Sequence, residues 1–562
     1  MNLPLADLPP TQRRDVPLIL VGLATAAYAA IAFATMLIVA PRVPYADQWR
    51  FYARLITQSF PANVLAADNG HREVLPNLLR VAELRWFDAD QSLQIAVGAL
   101  LALLCVACLA RASWCDSVPR HARVAAVFFA TLGVVWLGNE RALAHANESV
   151  HAYLVIACLL AGLRLVARET ASESARSALA AAFGLAAAFS FGSGMACLPA
   201  FLGVLWLRRA PWRAWAPILA GLVLALLLYT RGGGGTETLH MDPFVQSVIC
   251  LRWLAAPLQY LLWPLLDTHA AAQLPAGILR AVGMTIAQTW SGMFGEMTQA
   301  VWPQSVLGIT GVVLFALACQ RARRAACAGA SGLRIALGVA GFSLLVGGMV
   351  AVSRSDYFVA LPEQVLAARY LVWSSLFWSG LLCAWCLATP ARRRARAPLQ
   401  IALVVAVFVA PSEVWMGRLA LSMRNAAEQV ALGAAVGVLD RDEPMGETPF
   451  DELQRALPLL EEHGAAMYAW PEARWLGKRP PANRLQSVEA RNLKVRPAMN
   501  QLANNGIVVE MLANAGAARM LILDAQGRVV GIAQHHAPSG SDAWRGMARG
   551  DAEMALAFAT LR

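Results

Sequence analysis

Charge is what this chain has least of. Only 15% of its 562 residues are Asp, Glu, Lys or Arg, where a soluble domain carries about 25%. A globular protein bathed in water on all sides is therefore excluded. Cysteine is missing from the C-terminal quarter: all ten cysteines precede residue 387, so no disulfide framework holds the tail. Cys105/Cys108 and Cys383/Cys386 have CxxC spacing, but they sit inside apolar runs without His or acidic neighbours and read as small buried apolar residues. "RGGGGT" (231–236) lacks the GK[ST] of a phosphate loop and any preceding strand, which leaves a hinge. No HExxH metal motif and no repeat of fixed period occur.

What the chain has instead is hydrocarbon: 58% of the residues are hydrophobic. Crossing a bilayer takes about 20 mostly apolar residues. Runs near that length lie at 16–40, 93–110, 124–138, 150–166, 178–194, 215–229, 301–319, 333–352, 370–388 and 398–415, with a shorter one at 195–207. The first is too long for a signal-peptide core and reads as a retained helix. Residues 244–266 and 278–296 add two spans or two re-entrant or interfacial helices, so the expectation is 11–13 transmembrane helices. The parity is odd either way.

Arginines set the orientation, because basic short loops stay on the cytoplasmic side. Arg13 and Arg14 precede the first run, and every second loop after it is basic: Arg111, Arg120 and Arg123; Arg164, Arg168 and Arg176; "RRAPWR" (208–213); "RARR" (321–324); "RRRAR" (392–396). The N-terminus is predicted inside, and residues 41–92 and the tail outside. The net charge of +11 falls wholly in residues 1–415, since residues 416–562 hold 16 basic and 16 acidic residues. It is the positive-inside signal, not a nucleic-acid footprint.

Two domains follow: a membrane body, 1–415, and a small α+β or mostly β outer domain, 416–562. The tail shows an amphipathic helix near 449–463, then strand-like pieces at 506–512, 518–524 and 527–534. "DAQGR" (524–528) reads as a hairpin turn in which Gly527 supplies a positive φ. Trp470, Trp475 and Trp544 either fill its core or stack on sugars.

The polar residues concentrate in the outer loops. Asp47 lies just past the first run, collared by Tyr45, Trp49, Phe51 and Tyr52. Interfacial aromatics need no function, but an acid beside the headgroups gains little there. Residues 72–85 carry Val74, Leu75, Leu78, Leu79, Ala82 and Leu84 at near-helical spacing, with Arg80, Glu83 and Arg85 toward the polar side. This predicts a helix lying on the membrane surface, capped by Asn69 or Asp68, with His71 and Arg72 at its start suited to a phosphate. "GNERALAHANESVHAY" (138–153) holds Glu140, Arg141, His145, Glu148 and His151; three-residue spacing shares a helix face, and a cavity-lining loop is favoured over a metal site. Arg252, flanked by apolar residues, is a functional candidate at membrane depth or an arginine snorkelling from an interfacial helix. Arg369 opens a late span near the outer surface.

In architecture, a retained first span, a large outer loop with an early Asp and a surface helix, many spans and an outer C-terminal domain resemble the GT-C class of membrane glycosyltransferases. "YADQW" followed by "NGHREVLPNLLR" is similar to the "DxW … HNEHR" pattern of uncharacterised bacterial members, as are "SFGSGMACLPAFLGVLW" (190–206) and "ARYLVWSSLFW" (368–378). Here "DNGHR" replaces the first His and the Glu of that pattern, leaving His71 and Arg72 as the matches. The resemblance implies a polyprenyl-phosphate-linked sugar donor and an envelope glycan, lipid or protein acceptor. It also implies Asp47 as the base, a divalent metal in some branches, and phosphate contacts from His71, Arg72 and Arg369. Tyr45, Trp49, Glu140, Glu148 and Arg252 complete the candidate substrate site, with no residue assigned to a metal. The expected location is a bacterial inner membrane. The alternatives are a transporter or flippase, for which no inverted repeat is visible, and a non-catalytic envelope assembly protein.

Overall fold

The computed structural model describes residues 10–68, 70–114, 118–169, 171–230, 242–274, 276–324, 330–389, 396–442, 448–502, 505–536 and 542–562. The hinge expected at 231–236 and most of "RRRAR" lie outside them.

Among the described residues, ten helices are long and apolar enough to cross a membrane. They begin with Val16–Val39 and end with Ala397–Val436. Arg120–Ala144, Ala146–Val166 and Pro362–Leu387 are mostly buried and form the centre, whereas Val16–Val39, Trp212–Tyr229 and Val301–Arg324 show most of their side chains outward. Pro243–Leu266 is a helix of span length started by Asp242, whose carboxylate accepts from the Phe244 and Val245 N–H groups at 3.0 and 3.1 Å ahead of Pro243 at its first position. Ile278–Phe294 follows as a helix of 17 residues.

The runs 178–194 and 195–207 differ from the expectation of two spans. The chain makes a helix of 16 residues, Glu173–Ala188, turns at Phe189–Phe191, and re-enters through a 3₁₀ turn into an 11-residue helix, Cys197–Leu207. At about 1.5 Å per residue, neither piece alone crosses about 30 Å of hydrocarbon. The break sits at "FSFGSG" (189–194) and places Phe191 beside His71 and His151.

The helix expected over 72–85 forms at Val74–Trp86, but its polarity is reversed. Asn77, Arg80 and Glu83 are buried, while Leu78 and Trp86 are exposed. The charges are satisfied inside the protein: Arg80 reaches Glu73 at 2.5 Å, Asn77 at 2.6 Å and Asn147 at 2.7 Å. Buried charges persist when paired and hydrogen-bonded. Periodicity locates such a helix without telling which face is inward. Its N-cap is Glu73, with no side-chain cap bond, rather than Asn69 or Asp68; Asn69 lies outside the described residues.

The last span does not stop at 415. Ala397–Val436 is one helix of 40 residues, so the boundary expected at 415/416 falls inside it. It ends at Gly437, in the left-handed region at φ 79°, with the Arg549 Nε donating to the Val436 carbonyl at 2.5 Å. Beyond it come the helix Phe450–His463 and a seven-stranded antiparallel sheet in the order β1-β7-β4-β5-β6-β3-β2. The strands are β1 Leu485–Ser487, β2 Arg491–Pro497, β3 Gly506–Leu512, β4 Arg519–Leu523, β5 Val529–His535, β6 Ala543–Arg549 and β7 Ala557–Leu561. Alternation explains its burial on two sides. Ile522 and Val509 join one core with Trp544, Leu521 and Leu523 another, and Ile532 and Met547 pack on the end of the long helix. Trp544 is core, its indole N–H bound to the Ala513 carbonyl, and Trp470 lies under Arg519.

The first loop and this domain share one end of the bundle. Trp49, Tyr52 and Leu55 of the helix Gln48–Thr57 pack with Leu453, Leu457 and Leu460 of Phe450–His463.

Candidate functional site

At that end a cavity of about 320 Å³ opens between the first loop, residues 141–152, Phe191 and residues 354–373. Its near wall starts at Asp47, the N-cap of Gln48–Thr57. Ala46 before it holds φ at 51°, a left-handed conformation that costs a non-glycine residue of order 1 kcal/mol and recurs at functional sites. The turn is pinned by the Gln48 side chain, whose oxygen accepts from the Tyr45 N–H at 2.9 Å and whose amide donates to Gln91 at 2.6 Å. The Asp47 side chain is 51% exposed, with one loose ion pair to Arg50 at 3.6 Å.

Four carboxylates and three guanidiniums line the cavity: Asp47, Asp68, Glu73 and Glu148 with Arg141, Arg354 and Arg369. Most are already committed. Asp68 receives Arg50 through two bonds, 2.9 and 2.8 Å, and Arg54 at 3.4 Å. Glu73 receives Arg80. Burial raises the Glu73 carboxyl, but the charges of Arg80, His151 and His71 outweigh it and hold it below the usual carboxylate range. Glu148 receives Arg141 at 2.5 Å, with the His145 Nδ1 at 3.4 Å. Two groups are the least engaged: Asp47, whose one ion pair is the 3.6 Å contact to Arg50, and Arg354, which has no side-chain partner among the described residues. Arg354 follows the helix Ser331–Ser353 as its C-cap. Arg369 is held but presented, its Nη2 donating to the Tyr357 hydroxyl at 3.1 Å and to Gln364 at 3.0 Å.

The far wall is aromatic. His151 stacks on Phe191 at 4.2 Å and 6°, His71 leans on the same ring at 4.4 Å, and Trp373 lies parallel to it at 6.1 Å. Burial lowers the His71 pKa, Glu73 opposes that and Arg354 adds to it, so the ring is neutral at pH 7. Gly192 allows this approach, since a Cβ there would stand 2.4 Å from His71 Nδ1.

Of the residues singled out in the sequence, Asp47, His71, Glu148 and Arg369 line the cavity, together with Phe51 of the aromatic collar and Arg141, His145 and His151 of the polar loop. Tyr45 stands one layer back, its ring edge-on to His145 at 5.4 Å. Trp49 is fully buried in the contact with the C-terminal domain. Arg72 faces away, its guanidinium 6.0 Å from the Tyr229 ring. Glu140 is buried outside the lining set. Arg252 bonds Gln304 at 2.6 Å and the Pro362 carbonyl at 3.3 Å, fastening the loop that precedes Arg369 rather than facing the cavity. Sequence reasoning passed over Arg354, Asp68 and Glu73. The signal for Arg354 is an arginine in a loop that the charge alternation predicts to lie outside, against the charge rule. Among the described residues, no group of three His, Cys, Asp or Glu is arranged to hold a metal.

No family model matches the chain, and no curated protein matches it. Among solved structures it is similar to an oligosaccharyltransferase of Archaeoglobus fulgidus in its apo form, with 15% identity and a TM-score of 0.37 over 77% of this chain and 60% of that one. It is similar also to the oligosaccharyltransferase AglB of Archaeoglobus fulgidus in complex with an inhibitory peptide and a dolichol-phosphate, with 12% identity and a TM-score of 0.36 over 77% and 59%. The chain spans about three fifths of the length of these proteins.

Proposed function

We propose that this chain is a membrane glycosyltransferase of GT-C type that moves a sugar from a polyprenyl-phosphate donor to a cell-envelope acceptor on the periplasmic face of a bacterial inner membrane. The observation that carries the reading is the pair of cavity charges least engaged among the described residues: the half-exposed Asp47 carboxylate, whose one ion pair to Arg50 is 3.6 Å long, and the Arg354 guanidinium, which has no side-chain partner there. Transfer from a phosphate to a hydroxyl needs a base for the one and a cation for the other.

In this reading Arg354, with Arg369 beside it, takes the donor phosphate. Asp47 accepts the proton of the acceptor hydroxyl as its oxygen attacks the anomeric carbon. The bond from that carbon to the phosphate oxygen breaks, and polyprenyl phosphate leaves with its new negative charge against the guanidiniums. Phe191 and Trp373 offer flat apolar faces to the sugar or to the first isoprene unit. Neutral His71 adds a hydrogen-bonding group without a second charge. Arg354 takes the place that the sequence suggested for Arg72. The periplasmic assignment rests on the alternation of basic loops along the sequence.

The test is a strain carrying Asp47→Asn in place of the parent chain, with envelope glycans read by mass spectrometry. Loss of one sugar modification while the protein stays inserted supports the reading. An unchanged glycan profile removes Asp47 as the base.

A further inference from the structure

At the opposite, basic end a crevice lies between the helices Ser92–Trp114, Ala146–Val166 and Ser331–Ser353. Cys108, Leu160 and Ile335 make its apolar floor, and Arg111, Arg164 and Arg168 its charged wall, with no carboxylate in the lining. Its enclosed part measures about 20 Å³, room for about one oxygen-sized group.

Basic loops are topology signals first, and a topology signal needs no binding site. The arginines of this end show how such charges are otherwise accommodated. Arg208 is paired with Glu173, Arg334 with Glu169 and the Ala167 carbonyl, Arg123 reaches the Val118 carbonyl, and Arg323 lies over Trp206 at 4.0 Å. Arg321 and Arg324 are exposed. Arg164 follows neither pattern: it is half-buried between spans, and its guanidinium finds no acceptor among the described residues. Arg111, from the last turn of the neighbouring span, adds a second guanidinium at the rim, likewise without a partner among the described residues.

We infer that this crevice binds the phosphate headgroup of an anionic phospholipid. One phosphate oxygen occupies the enclosed pocket beside Arg164, Arg111 holds the outer oxygens, and the acyl chains run along the apolar floor. A basic recess between spans at the cytoplasmic leaflet suits such lipids, which concentrate there.

The full chain, purified in detergent, is titrated with phosphatidylglycerol, cardiolipin and phosphatidylcholine and read by native mass spectrometry. Anionic lipid is expected to remain bound at about tenfold lower concentration than phosphatidylcholine. Arg111→Gln with Arg164→Gln should erase that preference, Arg111→Lys with Arg164→Lys should retain it, and Arg321→Gln with Arg324→Gln should leave it unchanged. A thermal melt checks that each variant is folded. If the Gln pair does not fold, Arg111→Gln alone carries the test, with an expected partial loss. Equal lipid preference in the folded Gln variant overturns the inference. So does a thermal shift produced by inorganic phosphate alone with no retained lipid, which would make the site one for free phosphate.

Discussion

Glu452, in the C-terminal domain, meets Arg50 of the first loop at 2.5 Å, while the same guanidinium holds Asp68 through two bonds. Burial works against the Arg50 charge, but Asp68, Asp47 and Glu452 together hold its pKa above the ordinary value. The domain that ends the chain is thereby tied to the helix that begins at Asp47. Glu452→Gln should cost about 1–2 kcal/mol, between the values for exposed and buried pairs. It should also expose the first loop to protease, measured by a melt and by limited proteolysis.

Asp47→Asn should leave stability within about 0.5 kcal/mol, because its ion pair is long and half-exposed. Transfer should fall by roughly 10²–10⁴. Glycan mass spectrometry beside a thermal melt separates the two effects.

Arg354→Ala should likewise keep the melting temperature, having no side-chain partner among the described residues to lose, and yet abolish the same glycan product. Arg80→Ala is the contrast. It strands the buried Glu73 carboxylate and should destabilise by about 3–5 kcal/mol, read as a large drop in melting temperature.

Glu83 gives a pH signature. Burial pushes its carboxyl up to about 7, the Gln94 N–H opposes this and Asp90 adds to it. The folded chain keeps a proton there that the unfolded chain gives up near pH 4.5. Stability from this group therefore falls as pH rises from about 4.5 to about 7. Glu83→Gln mimics the protonated form and should gain over the parent by about 1–3 kcal/mol at pH 8 and little at pH 4. Melts across that range check it. His71 acts in the opposite sense: its lowered pKa makes stability fall as pH drops below about 6.5.

Much of this was legible in the sequence, where the physics is local. Run lengths gave most of the spans, though not those at 178–194 and 195–207, and alternation gave three strands within a residue or two of β3, β4 and β5. An early Asp after the first span and an Arg before a late one pointed to two walls of the cavity. What escaped depends on contacts distant in sequence. The surface helix buries its charges because Asn147, far along the chain, joins the nearby Glu73 in receiving Arg80, and no window of 13 residues contains the Asn147 contact. Arg354 stands out only after its neighbours have paired off. The short strand β1 and the strand β7 that it pairs with carry little periodicity of their own and gain it from the register between them.

The unbroken helix Ala397–Val436 gives the C-terminal domain a lever. Its 40 residues measure about 60 Å, and about half of that is enough to cross the hydrocarbon. A rotation of about 10° at the membrane swings the far end, about 30 Å away, sideways by about 5 Å. Spans retilt when bilayer thickness changes. Through Arg549 at its tip and Glu452 beside it, such a swing is delivered to Arg50 and the loop of Asp47. Acyl-chain length is therefore expected to act on the geometry of the cavity.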